Sequence, residues 1–277
     1  MPTTIPTTTS STRPSSPSTG DAYFETDTNN YIIYDGTNWR GYANDGITFG
    51  GNSYVAELDG TDDYLALGDV SGTLGGATKC TISWWMKKPN TSNIQARWWM
   101  SEGTDTLFAL WDNTNTRMFF GIGNGSGGYA QAVTSAISSI LDNTWYLWTF
   151  VYDGTQSTEN DRVKLYKNTS ELSVTRIAST VIPTSLSSTV GDDPFVGAYN
   201  DPTLGAGGFT DASFDDFAIF DDALTSTQVA NIYNSQIYPS SSLKHLYRME
   251  NNVNDSVGSA NGSVPNQVTW QTSNLPY

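Results

Sequence analysis

Five segments in the middle of the chain alternate apolar and polar residues, or form apolar runs of strand length, and this pattern leaves little choice of fold. They read VAELDGTDDYLAL (55–67), TISWWMKK (81–88), TWYLWTFVYDGT (144–155), DRVKLYKNTSEL (161–172) and FDDFAIFDDALTSTQVANIY (214–233). A period of two places alternate side chains on opposite faces of a strand, and polar turn residues bound each segment. Leu107–Trp111 and Arg117–Ile122 add two more strands, with Asp112–Asn115 as the turn between them. About twelve strands of this kind suit two antiparallel sheets packed face to face. The one helical stretch is Thr225–Tyr233, where Thr225 or Ser226 is placed to cap and Val229, Ile232 and Tyr233 share a face.

Charge and composition remove whole classes of function. The 277 residues carry a formal net charge of −15. Phosphate backbones are bound by Lys and Arg that release counterions, so this balance excludes nucleic acid as a partner and disfavours an anionic membrane surface. It favours solubility and makes cation binding plausible. No apolar run reaches the ~18 residues of a transmembrane helix, so no membrane insertion is expected. Cys80 is the single cysteine, inside TKCTISWW, and reads as a small strand hydrophobe.

The chain divides into three parts. Residues 1–19 are nearly all Thr, Ser and Pro and read as a disordered arm, because they offer too little apolar surface to offset ordering entropy. Residues 20–46 read as a small β-meander: Ala22–Thr26, Tyr31–Tyr34 and Trp39–Tyr42 are strands, and Asp27–Asn30 is a turn. Such a meander is too small for independent stability and needs something to dock on. The main sandwich occupies 47–277.

Two stretches resemble known families. The order RPSSPSTGDAYFETDTNNYIIYDGTNWRGY is similar to a module found near the ends of tailed-phage virion proteins. Four segments of the main domain together resemble the laminin-G-like jelly roll of the concanavalin A-like lectin/glucanase superfamily. These are Leu58-Asp59-Gly60-Thr61-Asp62-Asp63-Tyr64, Ile82-Ser83-Trp84-Trp85-Met86, Trp145 through Tyr152-Asp153-Gly154, and Phe214–Phe220 followed by Ala223-Leu224-Thr225. The resemblance implies an all-β, two-sheet antiparallel jelly-roll sandwich that binds rather than catalyses. One element is displaced. The family's usual first strand resembles Leu246–Ser263, near the end of this chain. Either the domain is circularly permuted, with that strand at 243–263, or the strand completes a neighbouring subunit. In the permuted form Leu246–Glu250 is expected beside Ala56–Asp59.

From these readings we expect a non-enzymatic virion structural protein on the phage particle surface: a capsid decoration, fibre or tail-associated subunit. Residues 1–46 would join other virion proteins, and a homo-oligomer such as a trimer is expected from the exposed meander edges. The alternative is a glycan-binding adhesin or lectin contacting the host surface. Sugars stack an apolar face and hydrogen-bond at their edges, which selects Trp98, Trp99, Trp111, Tyr129 and Tyr199 as carbohydrate-binding candidates. Adjacent Trp residues on a strand must point to opposite faces, so part of this set belongs to the core. One structural Ca²⁺ is expected on Asp59, Asp62 and Asp215, since Ca²⁺ takes oxygen ligands and the resembling family often carries a cation near its closing Asp. The competing role for these carboxylates is to cap turns. A glycoside hydrolase is the most distant reading. The six Glu residues are scattered, and His245, the single histidine, has no nucleophile motif near it and reads as a plain strand residue.

Overall fold

The computed structural model describes residues 6–26, 30–34, 36–43, 46–48, 53–89, 96–100, 107–112, 114–123, 129–135, 143–176, 181–192, 194–201, 205–273 and 275. It forms two compact units, Met1–Thr48 with Ile237–Ser241, and Phe49–Gln236 with Ser242–Tyr277. Among the described residues no helix is long and apolar enough to cross a membrane.

The smaller unit is a four-stranded sheet in the order Thr7–Thr8, Ala22–Glu25, Asn30–Tyr34, Trp39–Ala43. The last three strands form the meander expected from their alternation and turns. The Thr/Ser/Pro stretch departs from the disorder read from its composition. Thr7–Thr8 pairs in parallel with Phe24–Glu25, and Thr26 N–H donates to Thr8 O at 3.0 Å. The Arg13 guanidinium meets the buried Glu25 carboxylate, Nη2 to Oε2 at 3.0 Å. Backbone pairing and an ion pair to the buried Glu25 supply the order here, and neither is visible in side-chain hydrophobicity. Ile237–Pro239 also belongs to this unit and pairs with Gly46–Thr48.

The larger unit is a sandwich of two antiparallel sheets. One sheet has seven strands in the order Val174–Arg176, Tyr129–Thr134, Arg117–Gly123, Leu107–Asp112, Arg97–Met100, Phe195–Val196, Leu65–Ala66. The other has eight: Ser170–Leu172, Val163–Lys167, Trp145–Asp153, Lys79–Lys87, Asp211–Phe220, Tyr54–Asp59 and Thr269–Thr272 run across it, and Leu243–Tyr247 also pairs with Asp211–Phe220. Alternation sends Cys80, Ile82, Trp84 and Met86 into the core between the sheets. Trp85 points the other way and is buried beneath the helix Ser226–Ser235, stacked on Tyr233 at 5.6 Å. The two sheets meet where Trp84 and Trp98 pack edge to face, 5.4 Å apart. Fully buried aromatics of this size each contribute a large share of apolar area to the core.

That helix is stopped and started by its sequence. Thr225 accepts from Gln228 N–H, and the Gln228 side chain accepts from Thr225 N–H, a reciprocal capping box. Val229 and Ile232 face the sheet, and Gln236 ends the helix in the left-handed region at φ 50°.

The displaced strand pairs within the chain, but not where the family pattern places it. Leu243–Tyr247 lies antiparallel to Phe217–Phe220, whereas Tyr54–Asp59 pairs with the other half of the same strand, Asp211 opposite Asp59 and Phe214 opposite Ala56. The two therefore run end to end along one flank, with Ser53 N–H donating to Glu250 Oε1 at 2.7 Å. The strand beside Tyr54–Asp59 is Thr269–Thr272, which sets Trp270 opposite Ala56. A kink in Asp211–Phe220 produces this arrangement. Its register with Lys79–Lys87 shifts between Asp215 and Ala218, Asp216 has φ 41°, and Phe214 and Phe217 both enter the core. One residue is thereby added to the alternation, the signature of a β-bulge.

Because Thr269–Thr272 covers the flank of Tyr54–Asp59, deleting residues 264–277 should expose an unpaired edge and remove Trp270 from the core margin. We expect the melting temperature to fall by about 5–10 °C and light scattering to report aggregation on heating. An unchanged melting temperature with a monodisperse monomer would contradict this role for the C-terminal strand.

Candidate functional site

The outward face of the seven-stranded sheet carries a row of aromatic rings. Strand pairing lines them up: Phe195 stands opposite Trp99 and Trp99 opposite Phe108. Trp99 stacks on Phe108 at 4.1 Å and 9° between planes, and Phe108 continues to Phe119 at 5.8 Å. On the other side Phe195 meets Tyr64 at 4.7 Å, and Tyr64 meets Phe209 at 6.2 Å. Gly121, opposite Phe108, makes this possible, because a Cβ there would lie 2.0 Å from the Phe108 ring. Tyr199 meets Trp99 at 6.3 Å and 61°, and the Arg97 guanidinium lies 5.4 Å from the Tyr199 ring. Phe108 is buried by its neighbours, while Tyr64, Trp99, Phe119, Phe195, Tyr199 and Phe209 remain half-buried.

The aromatic candidates chosen from sequence therefore separate. Trp99 and Tyr199 belong to this face. Trp98, 1 % exposed, and Trp111, 0 % exposed, lie in the core between the sheets, so neither is available to a sugar. Period-two alternation is the reason: Trp98 is one residue from Trp99, and Trp111 is three residues from the outward Phe108. Tyr129 lies in the strand Tyr129–Thr134, and its side chain is outside the described residues. Phe108, Phe119, Phe195, Tyr64 and Phe209 were not selected from sequence. Placing Trp98 in the core would have found Phe108, because the register that sets Trp98 opposite Ala109 turns Phe108 outward with Trp99.

The acidic candidates also regroup. Asp59, Asp62 and Asp63 bring carboxylate oxygens within 4.8 Å of one another. Asp59 Oδ1 accepts from Thr61 N–H at 2.7 Å, and Asp63 Oδ2 accepts from Asp59 N–H at 3.3 Å. Burial, together with the charges of Asp59 and Asp62, pushes the Asp63 carboxyl above its ordinary value despite that hydrogen bond. Asp215 does not join them. It is fully buried at the bulge and accepts from Asp216 N–H at 2.8 Å. Its strand passes Asp59 at Asp211, four residues or about 13 Å away at strand rise.

A third constellation surrounds His245. Its Nδ1 lies 2.7 Å from Asp255 Oδ2, and its Nε2 lies 2.8 Å from Thr73 Oγ1. Asp255 also accepts from the N–H groups of Leu246, Val257 and Gly258. His245 is thus more than the plain strand residue read from sequence: three residues distant in the chain form a hydroxyl–imidazole–carboxylate line. Nucleophilic catalysis would also need N–H donors converging on an oxyanion beside the hydroxyl. Four of the amides beside Thr73 are already committed. Those of Thr73, Leu74, Gly75 and Gly76 donate to the carbonyls of Val70, Val70, Ser71 and Ser187. The line also fastens the loop after Tyr247 to the sandwich.

A family model for the Concanavalin A-like lectin/glucanases superfamily matches residues 59–230. The chain belongs to this superfamily. Among solved structures, the native heptameric SAP-like pentraxin from Limulus polyphemus is similar at TM-score 0.51 and 14 % identity, over 81 % of this chain and 97 % of that one. A putative carbohydrate binding protein from Bacteroides ovatus is similar at TM-score 0.52 and 11 % identity, over 94 % of this chain and 71 % of that one. At these identities the likeness is one of fold. No curated protein matches the chain in sequence. The concanavalin A-like sandwich extends past the matched segment, since Leu243–Tyr247 and Thr269–Thr272 complete its eight-stranded sheet.

Asp255 ties that completing segment to the concanavalin A-like core, and its ionisation should be visible in stability. Burial alone would raise its carboxyl, but the hydrogen bonds from His245, Gly258, Leu246 and Val257 outweigh it and hold the group below the ordinary carboxylate range. A carboxyl depressed in the folded state stabilises fully above its unfolded value of about 3.9 and loses that contribution as pH falls through the folded value. We expect Asp255→Asn to lower the melting temperature at pH 7 and to flatten its decline below about pH 4 relative to the parent. Parallel acid-melting profiles for the two proteins would show that Asp255 is not held this way.

Proposed function

We propose that this chain is a non-enzymatic structural protein of a tailed-phage particle, a capsid decoration, fibre or tail-associated subunit, that displays a glycan-binding sandwich on the particle surface. The observation that carries the binding role is the half-buried aromatic row on the outward face of the seven-stranded sheet. Monomeric surfaces seldom keep so many large rings partly exposed without a ligand or partner. Tyr199 and Arg97 add polar groups at the end of the row, and apolar ring surface beside hydrogen-bonding groups is what a sugar requires. The virion setting is supported by the resemblance of the N-terminal module. Residues 1–46 are the attachment element in this reading, joining other virion proteins within a homo-oligomer such as a trimer. The non-enzymatic reading is supported by the scattered Glu residues and by the committed amides beside Thr73.

The test separates attachment from binding. Mass spectrometry of purified particles should find the full chain. Deleting residues 1–46 should leave a soluble sandwich that binds on a glycan array but no longer joins the particle. Trp99→Ala should join the particle and lose glycan binding by about tenfold or more, the scale of one aromatic contact. Recovery of the chain only as a free secreted protein of a cell would sink the virion role, and an array blank for the parent protein would sink the glycan role. Turnover of a polysaccharide or ester that disappears on replacing Thr73 or one carboxylate would replace both with an enzyme.

A structural Ca²⁺ belongs to the same reading, moved from Asp215 to Asp63. Three crowded carboxylates are the hard oxygen donors such an ion takes, and an ion there would offset the Asp59 and Asp62 charges that add to burial in raising the Asp63 carboxyl. Millimolar Ca²⁺ should raise the melting temperature by mass action, and Asp63→Asn should abolish the rise. No shift with Ca²⁺ leaves these residues as turn caps alone.

A further inference from the structure

We infer that the larger unit has a second ligand site, independent of the aromatic face: a cleft on the outward side of the eight-stranded sheet, at the start of the helix Ser226–Ser235, that takes a neutral polyhydroxylated molecule the size of a mono- or disaccharide. The cleft has a volume of about 470 Å³, within the range of small-molecule sites. Val151, Tyr166 and Leu224, all buried, contribute its floor. Strand pairing fixes the sides. Val151 stands opposite Lys164, and Tyr166 opposite Glu171, so Lys164, Tyr166 and Glu171 share the outward face. Ala223 to Ser226 close the side toward the helix.

The rim is polar and already held in place. Glu171 Oε2 accepts from the Tyr166 hydroxyl at 2.8 Å and lies 3.6 Å from Lys164 Nζ. The Gln156 amide donates to Asp153 Oδ2 at 2.6 Å. Arg162 Nε donates to Gln156 O at 3.0 Å, and another guanidinium N–H donates to Ile182 O. A pre-ordered rim loses little side-chain entropy when a ligand arrives.

The charge pattern chooses the ligand class. Asp153, Asp161 and Glu171 face Arg162 and Lys164, three carboxylates against two cations. That small negative excess, on a chain of net charge −15, makes the cleft a poorer match for phosphate, sulfate and carboxylate ligands than for neutral ones. The two cations in the same rim reject a metal or an ammonium group. What remains is a molecule that both donates and accepts hydrogen bonds without carrying charge. Carboxylates accept from its hydroxyls, while Lys164, Arg162 and the helix end donate. The capping box engages the N–H groups of Thr225 and Gln228; those of Ser226 and Thr227 are first-turn amides with no intrahelical acceptor. The apolar floor covers a carbon face.

The experiment is saturation-transfer NMR with isothermal titration of the full chain against glucose, galactose, N-acetylglucosamine and lactose. At least one should bind, with a Kd of about 0.1–10 mM. Ser226→Trp, an exposed rim position, fills the cleft mouth and should weaken that binding by about tenfold or more. Glu171→Gln keeps an acceptor for Tyr166 while removing a charge, and should weaken it by roughly threefold to tenfold. In the Trp99→Ala background, where the aromatic face is removed, the remaining sugar binding should still be weakened about tenfold or more by Ser226→Trp. Melting curves establish that each variant is folded. If no sugar binds, or if binding survives both rim variants, the cleft assignment is wrong. Binding lost in Trp99→Ala and retained in Ser226→Trp also overturns it, and leaves the aromatic face as the sugar site.

Discussion

The sandwich depends on one bulged strand. Asp211–Phe220 pairs along one side with Lys79–Lys87, while its other side is divided between Tyr54–Asp59 and Leu243–Tyr247. If the strand ran regularly through Asp215–Asp216, with no bulge, Phe214 and Phe217 would stand on opposite faces and one of them would leave the core. The bulge keeps both inside, where Phe217 lies 6.4 Å from Trp84 and 6.1 Å from Trp98. Bending also costs something: two carboxylates are buried there. Asp216 faces Arg248 at 3.7 Å, and Arg248 comes from the segment that pairs alongside. The charge that balances the bulge is thus brought by the displaced strand itself.

The two outward faces of the sandwich are treated differently. A capped helix covers the centre of one sheet, with Tyr233 laid on Trp85. The opposite sheet packs its own rings against one another, and Gly121 gives Phe108 the room to stack. This self-packing explains how a row of aromatics stays on the surface. Each ring is partly covered by the next, so the exposed apolar area is smaller than the side chains imply.

Much of the fold was legible in the sequence because strands that bury one face must alternate. VKLY, CTISWWM and YLWTFVY could be read directly, and the helix was marked by its cap and its apolar spacing. The Trp pairs were legible only halfway: alternation requires opposite faces, but which Trp turns inward depends on the partner sheet. Pairing partners were harder still. Leu243–Tyr247 could be recognised as a strand, yet its neighbour was set by a bulge that FDDF announces only as two charges in an apolar run. Asp215 is separated from Asp59 and Asp62 for the same reason. In the sequence it is one acid among several; in three dimensions it is sealed behind a bend. The His245–Asp255–Thr73 line was out of reach, since nothing local marks residues so far apart as neighbours.

The pairing of Ala56 with Trp270, and of Asp59 with Asp211, has a consequence for how the molecule is made. A chain growing from the ribosome releases Tyr54–Asp59 early, but both strands that flank it lie far downstream. Until Trp270 emerges, the early strand must wait with an open edge. Contacts of such long sequence separation are slow to form, and an unpaired edge invites pairing with another nascent chain. Completion of the sheet is therefore postponed until Thr269–Thr272 has been made, and that strand closes the edge that Tyr54–Asp59 had left open.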